Sequence, residues 1–279
     1  MTVDFALGID VGGTKIAAGL VDGRGRIRND KRVATPVGLG AYAVIDAIIS
    51  CAREVIGKTP RSDVVGVGLG VPSQVDFDRQ EVEFSELIPF VGTDVRTLVS
   101  SELGLTVTMD NDANLAALGE RRFGAAREVD DFIMLTLGTG VGSGLFLAGQ
   151  LYRGAHGLAG EIGHTTIDLR GPGCLCGGSG HFETLFQEAQ TPAERALVLA
   201  AGLANLINTF NPRLIIIGGG IGNGDHRLVH DAAQRATQQS MAGRKHLQII
   251  PTTLGDDAGV LGGAALAFAE ADERERFVR

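Results

Sequence analysis

Cysteine is scarce in this sequence, with only Cys51, Cys174 and Cys176 among 279 residues. So few thiols, two of them one residue apart, exclude a disulfide framework and point to a reducing compartment. Any excess of positive charge is missing too. The formal net charge is −8 and the pI about 5.3. That balance argues against a surface built to neutralise nucleic-acid phosphates or anionic lipid headgroups, and leaves a small solute as the expected ligand. No apolar run approaches the roughly 20 residues of a membrane span. Met1 to Leu7 leads into a first strand without the basic segment and apolar stretch of a signal peptide. The expectation is a cytoplasmic protein with no nucleic-acid partner and no membrane partner.

Glycine, by contrast, is abundant at 41 residues, and it falls in bursts at the ends of apolar runs. Such bursts mark tight turns or close approach of backbone to a ligand. With 44% hydrophobic side chains, the chain can bury one large core or two modest ones. Strands are expected at Phe5 to Ile9 and Ile16 to Val21, a helix over Ala41 to Gly57, and a strand at Val64 to Val71 that stops before Pro72. A helix at Val95 to Leu103, a strand at Leu105 to Met109 and a helix at Ala113 to Phe123 follow. Phe132 to Leu137 and Val141 to Leu147 form a second hairpin. Ala193 to Phe210 reads as a helix broken by Asn211-Pro212, and Leu214 to Ile217 as a buried strand. The segments Arg227 to Met241, Leu247 to Ile250 and a closing helix from about Ala258 complete the pattern. One design, a strand pair around a Gly-Thr turn, occurs twice. Strands and helices mixed throughout predict an α/β fold.

Four segments carry chemistry. Asp10-Val11-Gly12-Gly13-Thr14-Lys15 joins a carboxylate, two glycines, a hydroxyl and a cation at a strand turn. Backbone N–H groups at Gly12 and Gly13, with Thr14 and Lys15, suit phosphate oxygens, and Asp10 suits Mg²⁺ held through water; a plain hairpin turn has the same glycines. Gly138-Thr139-Gly140 repeats the phosphate-type turn. Gly218-Gly219-Gly220 ends a buried strand with backbone bare enough to lie against a base or ribose. Asn111-Asp112 stands where a strand end meets a helix start. A phosphoryl-transfer enzyme needs a carboxylate there to accept a hydroxyl proton and an amide beside it; the same pair also suits an ordinary helix cap.

Glu161 and His164 offer acceptors for sugar hydroxyls. His164 further combines with Cys174, Cys176 and His181 as a Cys₂His₂ zinc set that would staple the loop carrying Glu161 and Glu183. Two incidental cysteines are the plainer alternative.

In order, from Leu7 to about Gly263, these segments resemble the ROK family of sugar kinases and sugar-responsive repressors. Leu7 to Lys15 looks like the family's first phosphate motif, Gly138 to Gly142 its second, Asn111 to Asn114 its catalytic segment and Gly160 to His164 its sugar and zinc segment. Gly68 to Asp76 is similar to its sugar-side loop. The resemblance implies Asp112 as catalytic base, and Ser73, Asn111, Asp112, Glu161, His164 and Glu183 as sugar-binding residues. It implies Asp10, Gly12, Gly13, Thr14, Lys15, Gly138, Thr139, Gly140, Gly219 and Gly220 for ATP and its Mg²⁺. The family's zinc cysteines correspond to Cys174, Cys176 and the position of His181, a departure that puts a longer ligand in the set. Ser73, where many members carry glycine, is a second departure that narrows the sugar pocket.

The implied fold is the two-lobed, actin-like ATPase (ribonuclease H-like) fold, its mixed sheets covered by helices and its lobes closing on sugar and nucleotide. A small lobe is expected at 1–110, joined by the C-terminal helix 264–279, and a large lobe with the zinc loop at 111–263. The implied activity is transfer of phosphate from ATP to the 6-hydroxyl of glucose, in a homodimer. Alternatives within the family are an N-acetylhexosamine, mannose or fructose kinase, a polyphosphate-dependent glucokinase, or a non-catalytic sugar-sensing regulator. Regulators of this family carry an N-terminal helix-turn-helix module, whereas this sequence begins its first strand at about Phe5. A dinucleotide oxidoreductase fails on the missing Gly-x-Gly-x-x-Gly turn.

Overall fold

The computed structural model describes residues 4–85, 87–241 and 246–278. Along it run strands β1 (Phe5–Val11), β2 (Lys15–Asp22) and β3 (Ile27–Ala34), helix α1 (Ala41–Ile56), strands β4 (Val64–Val71), β5 (Gln74–Asp76) and β6 (Glu81–Phe84), and helix α2 (Val95–Leu103). Then come β7 (Val107–Asn111), α3 (Asp112–Arg122), β8 (Phe132–Leu137), β9 (Val141–Leu147), β10 (Gln150–Leu151), α4 (Phe182–Glu188) and α5 (Pro192–Phe210). The chain closes with β11 (Leu214–Gly218), α6 (Gly219–Gly224), α7 (His226–Gln239), β12 (Gln248–Pro251) and α8 (Ala258–Val278). Met1 to Val3, the lead-in to the first strand in the sequence reading, lie outside the described residues, as does Arg279.

Packing divides the chain into two units. One comprises Met1–Arg127, Arg153–Ala159 and Asp257–Arg279; the other comprises Glu128–Tyr152 and Gly160–Asp256. The first holds a five-stranded sheet in the order β3-β2-β1-β4-β7. In it β1, β2 and β3 are antiparallel neighbours, while β4 and β7 are added in parallel. The second repeats this plan as β10-β9-β8-β11-β12, with β8, β9 and β10 antiparallel and β11 and β12 parallel. The repeated hairpin of the sequence is thus the start of a repeated sheet.

Each unit has its own apolar core. In the first, alternate residues Leu7 and Ile9 of β1 meet the buried stripe Val44, Ile48, Ala52 and Val55 of α1, the face that period-2 and period-3.6 patterns together create. On the opposite face α8 packs against β1 and β4. There a Cβ on Gly8 would overlap the carbonyl of Val260, and one on Gly68 the carbonyl of Gly263, so helix backbone rests directly on strand backbone. The second core gathers Ile133, Leu135, Ile215 and Ile217 under α4, α5 and α7. Helix α5 starts at a capping box, Thr191 with Glu194, and has Pro192 at its first position. It ends at Asn211, whose φ of 45° is left-handed. Among the described residues no helix is long and apolar enough to cross a membrane.

Candidate active site

Parallel neighbours bring distant segments of the first unit to one sheet end. Asp10 of β1 is paired with Gly70 of β4, and Val71 of β4 with Asn111 of β7. The residues that follow these carboxyl-terminal strand ends are Gly12 to Lys15, Ser73 and Asp112. Ligands bind at such strand ends in open α/β sheets.

The β1–β2 turn is closed by Gly12 N–H donating to Lys15 O at 2.8 Å, and Thr35 Oγ1 donates to Gly12 O at 2.6 Å. Thr14 and Lys15 are exposed. Asp10 keeps a partly exposed edge, yet burial pushes its carboxyl up to about 6 against the pull of Lys15. Bare backbone at Gly259, in the first turn of α8, makes room for it: a Cβ there would sit 2.5 Å from Asp10 Oδ2. A carboxylate so disfavoured as an anion gains from a cation beside it, which fits the Mg²⁺ role. 

At the start of α3, Asn111 is the N-cap. Its Oδ1 accepts the N–H of Ala113 at 2.9 Å and of Asn114 at 3.3 Å, and its amide donates to Ser73 O at 3.3 Å. Asp112 is half-buried, and its Oδ1 accepts the Ala113 N–H at 2.9 Å. The buried Ser73 hydroxyl is tied to Ser85 Oγ at 2.8 Å. The capping role that Asn-Asp pairs commonly play is therefore real for Asn111, and it fixes the direction in which Asp112 leaves the strand.

In the second unit the β8–β9 turn presents Gly138, Thr139 and Gly140, closed by Gly138 N–H to Gly140 O at 3.0 Å. Gln187 donates to Thr139 O. Glu183 Oε2 accepts the Val141 N–H at 2.7 Å, and a Cβ on Gly140 would lie 2.7 Å from the same oxygen. Glu183 thus braces the glycine turn, a link that sequence reading had not anticipated. Gly219, at φ 81°, leans on the Leu137 backbone, where a Cβ would lie 2.5 Å from Leu137 O, while Gly220 faces open space. The second and third glycine segments are therefore adjacent.

Glu161 is exposed and its Oε2 lies 3.9 Å from His164 Nε2. Gly160 and Gly163 let this loop rest on β9, since their Cβ atoms would crowd Ser143 O and Val141 O. His164 is opposed by burial, but Cys174, Glu183 and Glu161 raise its pKa overall.

His164, Cys174, Cys176 and His181 converge, their ligand atoms all within 4.8 Å of one another. His164 Nδ1 is 3.6 Å from Cys174 Sγ, and His181 Nδ1 is 3.5 Å from Cys176 Sγ. A tetrahedral zinc with Zn–S of about 2.3 Å and Zn–N of about 2.0–2.1 Å has S···N edges of about 3.6 Å, so the donor set fits. Burial opposes ionisation of Cys174, but the Cys176 N–H and the His181, Cys176 and Thr184 side chains outweigh it and bring the thiol down to about 6. The longer histidine is accommodated because residue 178 is glycine; a Cβ there would strike the His181 ring.

Sequence reasoning had missed Asp110, which accepts the Asn111 N–H, Arg153, which donates to Asp110, Gln80, which bonds Met109, and Ser85, which is tied to Ser73. Asp110 had the signal of its place in the Asp-Asn-Asp run; the other three had none.

A family model described as the ROK family matches residues 6–191 and 187–270. A glucokinase of Streptomyces coelicolor is 33% identical over 94% of this chain and 97% of its own. The xylose repressor of Bacillus subtilis is 28% identical over 94% of this chain and 76% of its own. Among solved structures, a ROK family glucokinase from Streptomyces griseus, in complex with glucose and AMPPNP, superposes with a TM-score of 0.86 at 32% identity, covering 95% of this chain and 99% of that one.

Proposed function

The chain belongs to the ROK family, and from that premise we propose that it is an ATP-dependent glucokinase with Asp112 as its base. Its fold is the actin-like ATPase fold of the ROK sugar kinases. The observation that carries the reading is the half-buried Asp112 carboxylate, which follows the Asn111 cap at the same sheet end as Asp10 and the Gly12–Lys15 turn.

In this reaction the sugar 6-hydroxyl loses its proton to Asp112. Its oxygen forms a bond to the γ-phosphorus as the bond to the β,γ-bridging oxygen breaks, giving glucose 6-phosphate and ADP. Little covalent work falls to the protein, so placement and electrostatics dominate. Ser73, Asn111, Glu161, His164 and Glu183 are assigned to the sugar. Gly12 to Lys15, Gly138 to Gly140, Gly219 and Gly220 are assigned to the nucleotide. Mg²⁺ supplies charge neutralisation on the phosphates, and Asp10 would hold it through water. His164, Cys174, Cys176 and His181 would hold a structural zinc that fixes the loop of Glu161 and Glu183.

A nucleotide donor is favoured over polyphosphate by the cations near the first turn. Lys31 is paired with Glu54, and Arg32 with Asp30 and Asp257, so these two β3 cations are already matched by carboxylates, which disfavours a long polyanion there. A cytoplasmic homodimer extends the same reading to the protein's surroundings, and its sedimentation mass tests the second half.

The test is a coupled assay with ATP and Mg²⁺ across hexoses and N-acetylhexosamines, beside Asp112→Asn. Turnover on glucose that falls at least about 10²-fold in the variant, with sugar binding retained, is expected from loss of a general base. Near-normal turnover in Asp112→Asn would sink the assignment.

A further inference from the structure

Behind the catalytic segment lies a buried charge that the reaction as described does not use. Asp110 is 2% exposed and immediately precedes Asn111. Its Oδ1 accepts the backbone N–H of Asn111 and the side-chain amide of Asn114, both at 2.8 Å. Its Oδ2 accepts Nε and Nη2 of Arg153, each at 2.8 Å. The Arg153 guanidinium in turn lies over the Phe77 ring, 3.7 Å from its centre. Arginine is suited to this place because one planar group can stack on a ring and donate in its plane at once.

The same segment is held from a second side. Gln80, at a φ of 58°, donates through its amide to Met109 O at 3.1 Å and accepts the Met109 N–H at 2.5 Å. Strand β7 is the edge of its sheet, so this carboxamide takes the place of a neighbouring strand. Phe77 and Gln80 both sit in the turn between β5 and β6. One hairpin therefore seats Arg153 and clamps Met109, while Asp110 fixes the peptide from which the catalytic pair departs.

We propose that Arg153 is a positioning residue for phosphoryl transfer, acting through Asp110 to set the Asn111–Asp112 step. The proposal rests on the reading of Asp112 as base. Removing one partner of a buried ion pair leaves the other without its compensating contacts. Without Arg153, Asp110 Oδ2 loses both guanidinium donors, and the carboxylate that accepts the Asn111 N–H and the Asn114 amide is no longer anchored. The first turn of α3 then loosens around Asp112.

The experiment compares wild type, Arg153→Gln, Arg153→Lys, Asp110→Asn, the Arg153→Gln/Asp110→Asn double variant and Asp112→Asn. For each, kcat, sugar KM and Tm are measured, with kinetics well below the lowest Tm. Misplacement of a reacting group by about 1 Å costs about 10²-fold. Arg153→Gln should accordingly lose about 10²-fold in kcat with sugar KM changed less than about threefold. The double variant should lose no more than the worse single variant, because both act through one contact. A folded Arg153→Gln with kcat within about twofold of wild type, while Asp112→Asn is inactive, would overturn the proposal and leave Arg153 a structural residue. If Arg153→Gln does not fold, Arg153→Lys decides: about tenfold lower kcat at a near wild-type Tm supports positioning, and unchanged kcat overturns it. Retained turnover in Asp112→Asn is a separate result, which removes the base and with it the need to position it.

Discussion

Asp10 holds a charge where burial disfavours one. Its carboxyl is raised from an ordinary 3.8 to about 6, by burial first, with Lys15 pulling it down. The folded chain thus binds this proton more tightly than the unfolded chain, and stability falls as pH rises from about 4 to about 6. Above that range the deficit is constant, of order 1–3 kcal/mol. Asp10→Asn should therefore raise the denaturation midpoint at pH 7.5, with the gain over wild type shrinking as the pH approaches 4. The same variant should lose kcat, because the carboxylate assigned to Mg²⁺ is gone. Equal midpoints at both pH values would show that the Asp10 charge carries no such penalty. The two carboxylates assigned to chemistry differ in how far their sequence disclosed them. Asp112 was legible because a strand end and helix start bracket it. The burial of Asp10 was not, since Gly259 of α8, whose bare backbone stands against its carboxyl, is far away in sequence and close in space.

Elements with one clear period were read correctly, and those without one were missed. Helices α1, α2 and α5 and the hairpins β1–β2 and β8–β9 all follow apolar spacing and glycine turns. Strand β3, Ile-Arg-Asn-Asp-Lys-Arg-Val-Ala, has too much exposed charge to read as a strand; what orders it is the β2 ladder. Hairpin β5–β6 is only three and four residues long, and its contact with Met109 uses a side chain that no pattern marks. Glycine bursts were read as ligand turns, yet Gly8, Gly68 and Gly263 serve the contact of α8 with the sheet. That contact predicts a sharp contrast between two alanine substitutions. Gly68→Ala puts a methyl where the Gly263 carbonyl stands and should cost about 1–3 kcal/mol or more, as overpacking does. Gly23→Ala meets nothing within 4 Å and should change stability by less than about 0.5 kcal/mol. Urea denaturation of the two variants decides it, and similar stability in both would show that α8 yields without cost.

At the scale of the whole molecule, two similar sheets carry two separate apolar cores, so a perturbation of one need not spread to the other. The sequence disclosed this duplication only as a repeated strand pair, because the added parallel strands β4, β7, β11 and β12 differ in length and surroundings between the halves. The Cys₂His₂ cluster provides a way to test the independence of the cores. Its four residues all belong to the second unit, and His181 is both a ligand candidate and the N-cap residue of α4. A zinc that closes the 164–181 loop stabilises it by constraining the unfolded chain and by binding only the folded one. Removing the metal with a chelator, or replacing His181 with alanine, should release about one equivalent of zinc. Amide hydrogen exchange should then speed up in residues 160–190 and along α4, while β1, β4 and α8 keep their protection. Because these segments report on separate cores, loss of protection in both units would refute their independence. Unchanged exchange around 160–190, together with zinc-free wild-type protein, would show that the cluster folds on its glycine turns and hydrogen bonds alone.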